Sequence, residues 1–363
     1  MKGYQQLRGR FRGALLRPGE EGYDEARRVW NGAIDRRPAL IARCAGADDV
    51  AVAVRFAREH DLPVSVRGGG HAVAGHAVAD GALMIDLSLL KAIRVDPGAR
   101  TVRAAGGVLL GELDRATQPF GLATPAGVVS HTGIGGLTLG GGLGYTMRRF
   151  GLTVDNLLAV DLVTADGEAM QVDAWTEPEL FWALRGGGGN FGVVSSFRFA
   201  LHPEQGRVLG RRDGDGRSAS VIVALPKGRY DATLLDRLSA FLRSRFDASA
   251  VDAHEVLGFL REFHAQAPDE LGVVLTMRLA PPSPALPPEL AGTPVVGLML
   301  VWAGDPAAGE VAIAPLRRIG TPLADLVRPV PYLFVQSSLD AGNPHGMHYY
   351  WRSQRVPDLG DEV

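Results

Sequence analysis

Residues Arg67-Gly68-Gly69-Gly70-His71 place a cation, three residues without Cβ and an imidazole in consecutive positions. Glycines here can take positive φ and turn backbone N–H groups towards a pyrophosphate, which leaves the histidine beside the reacting part of the ligand. A neutral imidazole is a nucleophile, so the pattern suits a phosphate-bearing cofactor that is captured covalently. A tight glycine-rich turn with an incidental histidine accounts for the same five residues equally well.

Two further glycine-rich blocks shift that balance. One runs from Gly127 through Ser130-His131-Thr132-Gly133-Ile134-Gly135-Gly136 to Gly140-Gly141-Gly142-Leu143-Gly144-Tyr145, and the other is Phe181-Trp182-Ala183-Leu184-Arg185-Gly186-Gly187-Gly188-Gly189-Asn190-Phe191-Gly192-Val193-Val194. Neither is a dinucleotide fingerprint, since no strand, GxGxxG and helix unit with a following ribose-binding acid surrounds Gly140 to Gly144. No Gly-Lys-Ser/Thr follows either block, which excludes a Walker A loop.

Five blocks in order carry a more specific likeness: Arg67 to His71, Ala74-Gly75-His76 through Met84-Ile85-Asp86-Leu87-Ser88, Gly133 to Gly144, Gly151-Leu152-Thr153-Val154-Asp155-Asn156-Leu157-Leu158, and Phe181 to Gly189. Together they resemble the FAD-linked oxidases of the vanillyl-alcohol-oxidase/PCMH superfamily, in particular the bacterial berberine-bridge-enzyme-like group. The resemblance implies an α+β fold. A PCMH-type FAD-binding domain of two subdomains is expected over residues 1–205, and an antiparallel-sheet substrate domain with flanking helices over residues 206–363. It also implies FAD bound covalently through His71, whose imidazole attacks a ring methyl of the flavin in its quinone-methide form. The cofactor set it implies is Arg67, Gly68, Gly69, Gly70, His71, Gly75, His76, Gly127, Thr132, Gly133, Gly136, Gly141, Gly144, Tyr145, Gly192 and Val194. Thr132, Gly133 and Gly136 would line the ring and ribityl chain, with Gly192 and Val194 at the adenine end. About half of the glycines are expected only to permit close backbone crossings.

The reaction implied is hydride transfer to flavin N5 from a CH–OH or related carbon of a sugar or secondary metabolite, with dioxygen or another electron acceptor closing the cycle. Relatives that tie the flavin twice use a cysteine at the position of Val129; with Cys44 the only thiol, one histidyl link is expected. The family's base is a tyrosine or glutamate from the far C-terminal portion, a role to which no residue is assigned; Tyr349 and Tyr350 are the local candidates for substrate contact, and neither is read as the base. The chain ends at Val363 without the family's closing Asn-Tyr segment, so the substrate domain is expected to be shortened. A flavin-binding protein without turnover and a nucleotide-binding module are the alternatives that remain.

Composition narrows the classes further. With 46% hydrophobic and 21% charged residues and a formal net charge of −2, nothing electrostatic favours nucleic acid. Apolar runs are broken by Gly, Asp or Arg before membrane-spanning length, and Met1 to Arg10 lacks the apolar core of a secretion signal, so the expected location is cytoplasmic. A single cysteine excludes an internal disulfide and a cysteine metal cluster. His345 and His348 have no third ligand spaced with them, so no metal site is expected. His131 could touch the flavin or cap a turn, the turn being the favoured reading, and Asp86 reads as a holder of loop backbone.

The elements that must position these groups follow from pattern. Leu62 to Val66 reads as the strand delivering the first loop, with further strands at Leu83 to Leu87, Ala92 to Val95, Arg100 to Ala104, Leu157 to Thr164 and Glu168 to Val172. Helices are expected over Glu20 to Arg28, Ala47 to His60, Leu109 to Phe120 and Glu177 to Arg185. Glu204 to Arg217 lacks periodicity and marks a border. Beyond it, strands are expected at Ser220 to Leu225, Val273 to Leu279, Val295 to Trp302 and Val330 to Phe334, with a helix over Asp231 to Phe246 and Tyr349-Tyr350 on a strand.

Overall fold

A computed structural model of the chain describes residues 3–203, 208–211, 253–279, 288–292, 294–318, 325 and 327–351. Its contacts divide into two compact units: residues 1–206 with 343–349, and residues 207–342 with 350–363. Residues 343–349 thus pack with the first unit, where a single border at 205 would assign them to the second.

In the first unit, β1 (Ala14–Leu16), β2 (Leu40–Arg43), β3 (Val64–Arg67) and β4 (Leu83–Asp86) form a sheet of order β1-β2-β4-β3, parallel among β2, β4 and β3. The helix Ala47–Glu59 buries Val50, Ala53, Val54, Phe56 and Ala57 in the core on this sheet. Apolar side chains three and four apart make that stripe. Asp48 and Asp49 stand in its first turn, favourable to the helix dipole. Asp49 is buried and accepts from the backbone N–H groups of Arg12, Gly13 and Ala45, tying the N-terminal segment to the helix.

Next come β5 (Ile93–Asp96), β6 (Thr101–Ala105), β7 (Leu122–Ala123), β8 (Leu157–Val163), β9 (Ala169–Asp173), β10 (Val193–Ala200) and β11 (His202–Pro203). Five of them make an antiparallel sheet of order β5-β6-β10-β8-β9, and β7 pairs with β11. Alternation along β10 buries Val193, Phe197 and Phe199 while Arg198 is exposed, the period-two pattern of a sheet with one covered face. The helix Leu110–Thr117 covers it through Leu110 and Leu113.

The second unit is built on β12 (Val208–Arg211), β13 (Leu271–Leu279), β14 (Pro294–Trp302) and β15 (Val327–Val330), antiparallel in the order β13-β14-β12-β15. Leu260, Leu271, Leu300, Trp302, Ile313 and Leu316 form its core. The expectations for Ser220 to Leu225 and Asp231 to Phe246 lie outside the described residues.

Several local expectations are corrected. Only Tyr23–Ala26 of the first expected helix is helical, because Gly22 sits at φ 79° and begins the turn late. Val330 ends a strand and Tyr332–Gln336 is a helix, since Pro331 supplies no ladder N–H and a φ near helical. Ile134–Leu139, for which no element was expected, is a helix. Tyr349 and Tyr350 lie in no strand.

Candidate functional site

Strand β3 ends at Arg67, opposite Asp86 in the parallel register with β4. Asp86 is fully buried; Arg43 Nε lies 3.2 Å and Arg67 Nη1 3.6 Å from its Oδ2, while its Oδ1 accepts from Ser88 N–H at 3.0 Å. It therefore holds two cations as well as loop backbone. Arg67 Nε is buried without a hydrogen-bond partner. An orphaned donor of that kind costs free energy unless a ligand meets it.

The loop after β3 crosses the 130–133 segment at very short range. A Cβ on Gly69 would lie 2.3 Å from Gly133 N, and one on Gly133 would lie 2.2 Å from Gly69 N, so each is glycine because the other is there. Gly70 takes φ 70° and its carbonyl accepts from Trp30 N–H. Segment 130–133 is itself laced to the next helix by Leu110 N–H to Thr132 O and Gly111 N–H to Ser130 O.

This crossing puts His71 Nε2 2.6 Å from His131 Nδ1, with Thr132 Oγ1 3.5 Å from His71 Nδ1. The indole of Trp30 stacks on His71, ring centroids 4.7 Å apart and planes 16° apart. Burial, then the neighbouring His131 and His345, push the His71 pKa down to about 3, so the ring is neutral at any ordinary pH. His345 is likewise lowered, by burial first and then by His131 and Arg67.

His345 arrives from the far end of the chain. Asn31 fixes that segment: its Nδ2 donates to Tyr349 O and Val73 O, and its Oδ1 accepts from Tyr349 N–H. Gly32 N–H donates to Met347 O, Gly346 N–H to Trp30 O, and Trp30 Nε1 to Asn343 O. One ligand atom from each of His71, His131 and His345 lies within 4.8 Å of the others, a set with the composition of a metal site. His345 meets His71 and His131 through the fold, at sequence distances that no local spacing shows.

The other expected site residues separate by what surrounds them. Gly136 is exposed and Gly141 has φ 112°, and a Cβ on either would meet nothing within 4 Å. Gly68 approaches Gly106 O, Gly75 the Ile34 side chain, Gly127 the Leu110 and Leu137 side chains, Gly144 Ala126 O and Gly192 Val163 O; protein contact alone explains those five. Val194 is a core residue, His76 is exposed, and buried Tyr145 donates its hydroxyl to Val128 O. Cys44 is buried in the first core, where burial pushes its thiol pKa up, and Val129 is buried too. Tyr349 stacks on Trp30 at 3.6 Å and donates its hydroxyl to Pro344 O, while Tyr350 is 69% exposed and groups with the second unit.

Trp30 is the residue sequence reasoning missed, and His131 is one it favoured as a turn residue. His131 adjoins Thr132 and a glycine run, which was a usable signal; Trp30 stands alone in its segment and carried none. The orphaned Arg67 Nε, the open glycine surface at Gly136 and a neutral buried imidazole fit a large cofactor with anionic and aromatic parts.

Comparison with known proteins agrees with that chemistry. Residues 38–173 match the FAD binding domain family. An FAD-linked oxidoreductase of Dictyostelium discoideum is 33% identical over 95% of this chain and 66% of its own length. The (R)-6-hydroxynicotine oxidase of Paenarthrobacter nicotinovorans is 41% identical over 53% of this chain and 42% of its own. Among solved structures, 6-hydroxy-D-nicotine oxidase from Arthrobacter nicotinovorans superposes with a TM-score of 0.72 at 29% identity, covering 93% of this chain and 66% of that one. The chain thus spans less than two thirds of these proteins. Among the described residues no helix is long and apolar enough to cross a membrane.

Proposed function

This chain belongs to the FAD-linked oxidoreductases built on an FAD-binding domain, and from that premise we propose that it binds FAD covalently through His71 and oxidises a small molecule. One observation carries the reading: the β3 loop and the 130–133 segment cross through Gly69 and Gly133 and present a neutral His71 beside Thr132. A neutral imidazole retains a lone pair for bond formation, and burial keeps it so.

When bound, FAD supplies the two-electron acceptor for a hydride from a CH–OH or related carbon of a sugar or secondary metabolite, with dioxygen or another acceptor reoxidising it. Arg67, with its unpartnered Nε, is the cation available to an anionic part of the cofactor. Gly136 and Gly141 leave surface against which a flat ring or chain can lie. Gly68, Gly69, Gly70 and Gly133 shape the backbone around His71, and Thr132 faces its Nδ1. Gly75, Gly127, Gly144, Tyr145 and Gly192 act at one remove, by holding the loops, while Val194 belongs to the core and His76 is exposed. Tyr349 serves as support for Trp30, its hydroxyl being committed to Pro344 O. A cytoplasmic location is part of the same reading.

Acid precipitation of the purified, flavin-loaded protein tests this. Flavin is expected in the pellet, on one peptide containing His71, and His71→Ala should release all of it to the supernatant. Flavin released entirely from the unaltered protein, or an adduct on Cys44, would overturn the covalent assignment. Bleaching of the flavin band under anaerobic addition of candidate sugars and alcohols tests the oxidoreductase reading.

A further inference from the structure

We propose that, before any flavin is attached, the imidazoles of His71, His131 and His345 hold one late transition-metal dication of the Zn²⁺ class, with solvent as the fourth ligand. This site lies beyond the cofactor reading and does not depend on it.

The three rings come from separate segments of the first unit: His71 follows β3, His131 precedes the helix Ile134–Leu139, and His345 lies in residues 343–349. Ring centroids stand 4.7 Å apart for His71 and His131, 4.8 Å for His131 and His345, and 5.6 Å for His71 and His345. One nitrogen from each ring lies within 4.8 Å of the other two, and His71 Nε2 stands 2.6 Å from His131 Nδ1. Zn–N bonds of about 2.0–2.1 Å at tetrahedral angles put ligand nitrogens roughly 3.3 Å apart. The observed separations bracket that value, and small side-chain rotations, chiefly of exposed His345, reach it.

The donor set selects the ion. Three neutral nitrogens with no carboxylate among them favour late transition metals, since Mg²⁺ and Ca²⁺ take oxygen ligands. An imidazole binds metal only when unprotonated, and burial lowers the pKa of His71 to about 3 and lowers that of His345 as well, so protons compete weakly. Ligation through His71 Nε2 puts the ring proton on Nδ1, where Thr132 Oγ1 at 3.5 Å is placed to accept it. A second partner of that kind orients a metal-binding imidazole. Trp30 stacks on His71 and fixes its plane, while Asn31 ties the His345 segment down through Tyr349. The neighbouring cation, Arg67, is already balanced by buried Asp86 at 3.6 Å. His131 is half-buried and His345 exposed, which leaves the fourth position open to water.

The experiment titrates Co²⁺ into the full chain, free of any purification tag and prepared without flavin. Tetrahedral Co²⁺ absorbs visible light far more strongly than octahedral Co²⁺. An intense band saturating at one Co²⁺ per chain is expected, bleached by Zn²⁺ and not by Mg²⁺. His131→Ala and His345→Ala should each weaken binding by at least about 10²-fold, the upper end of what loss of an outer partner costs. His348→Ala, an exposed neighbour outside the set, should bind as the unaltered chain does. Removing exposed His345 should leave urea unfolding unchanged without metal, and Zn²⁺ should raise the midpoint of the unaltered chain but not of His345→Ala. A pale octahedral spectrum, binding without saturation at one equivalent, a band kept at full affinity in His345→Ala, or equal loss in His348→Ala would overturn the site.

Discussion

The loop Arg67–His71 and the segment Asn343–Tyr349 each bring a histidine to the same place, by opposite means. The loop is shaped from within: β3 delivers it, Gly69 permits the crossing with Gly133, and Gly70 turns at φ 70°. The later segment contains no helix or strand, only a turn at His345 and Gly346, and is shaped from without, by Trp30, Asn31 and Gly32. A site wall can thus be written into local sequence or borrowed from a distant docking surface, and only the first kind leaves a motif.

Trp30 serves both, so its removal should do most damage. Trp30→Ala deletes a fully buried indole stacked between His71 and Tyr349 and should cost about 3–5 kcal/mol in urea unfolding. A loss under 1 kcal/mol would show that neither region depends on it.

Gly69→Ala attacks the loop alone. The new Cβ would meet backbone, which cannot move aside as a side chain can, and a cost of about 1–3 kcal/mol is expected. Gly136→Ala is the counterpart: with nothing within 4 Å and a helical position, it should leave stability unchanged or raise it by up to about 1 kcal/mol. If FAD lies against that surface, this variant should nevertheless weaken flavin retention. Equal unfolding midpoints for the two variants would erase the distinction between glycines required by protein and glycines left open.

Asn31→Ala attacks the segment alone. It removes both bonds to Tyr349 backbone and leaves those groups to find water, for about 1–3 kcal/mol. Hydrogen exchange should rise at Gly346 and Tyr349 while Leu87 N–H, bonded to Arg67 O, stays protected. Matching increases in both places would mean that the two regions are one cooperative unit.

Acidification probes the His71 end of the loop directly. The folded pKa of His71 lies at about 3, below its ordinary 6.5, so the unfolded chain takes the proton first. Stability is therefore full above about pH 6.5 and falls as pH drops towards 3, by at most about 1.4 kcal/mol per pH unit for this one group and less for its residual solvent contact. His71→Asn should flatten that part of the stability curve; an unchanged slope would place the proton elsewhere.

Much of the first unit was legible in the sequence. Helical period located the helix Ala47–Glu59, and alternation or short apolar runs located strands β4, β6, β8 and β9, with β4 buried along its whole length. Short or glycine-rich elements were not: Ile134–Leu139 has two glycines in six residues and is helical because its backbone is anchored at Val108 O and Gly133 O. The readings of Val330 to Phe334 and Tyr349-Tyr350 failed because apolar or aromatic runs that short carry no period.

The sequence by itself determined the chemistry on offer: a histidine after three glycines at a strand end, a single thiol, and the motifs of an FAD-binding domain. Those depend on neighbours along the chain, where backbone freedom and strand pattern act. The tertiary structure alone decided which imidazoles meet, that Trp30 covers His71, and which glycines face protein or open space. The contacts of His71 with His131 and of Asn31 with Tyr349 join positions 60 and 318 residues apart, and nothing local in the chain encodes a distance of that kind.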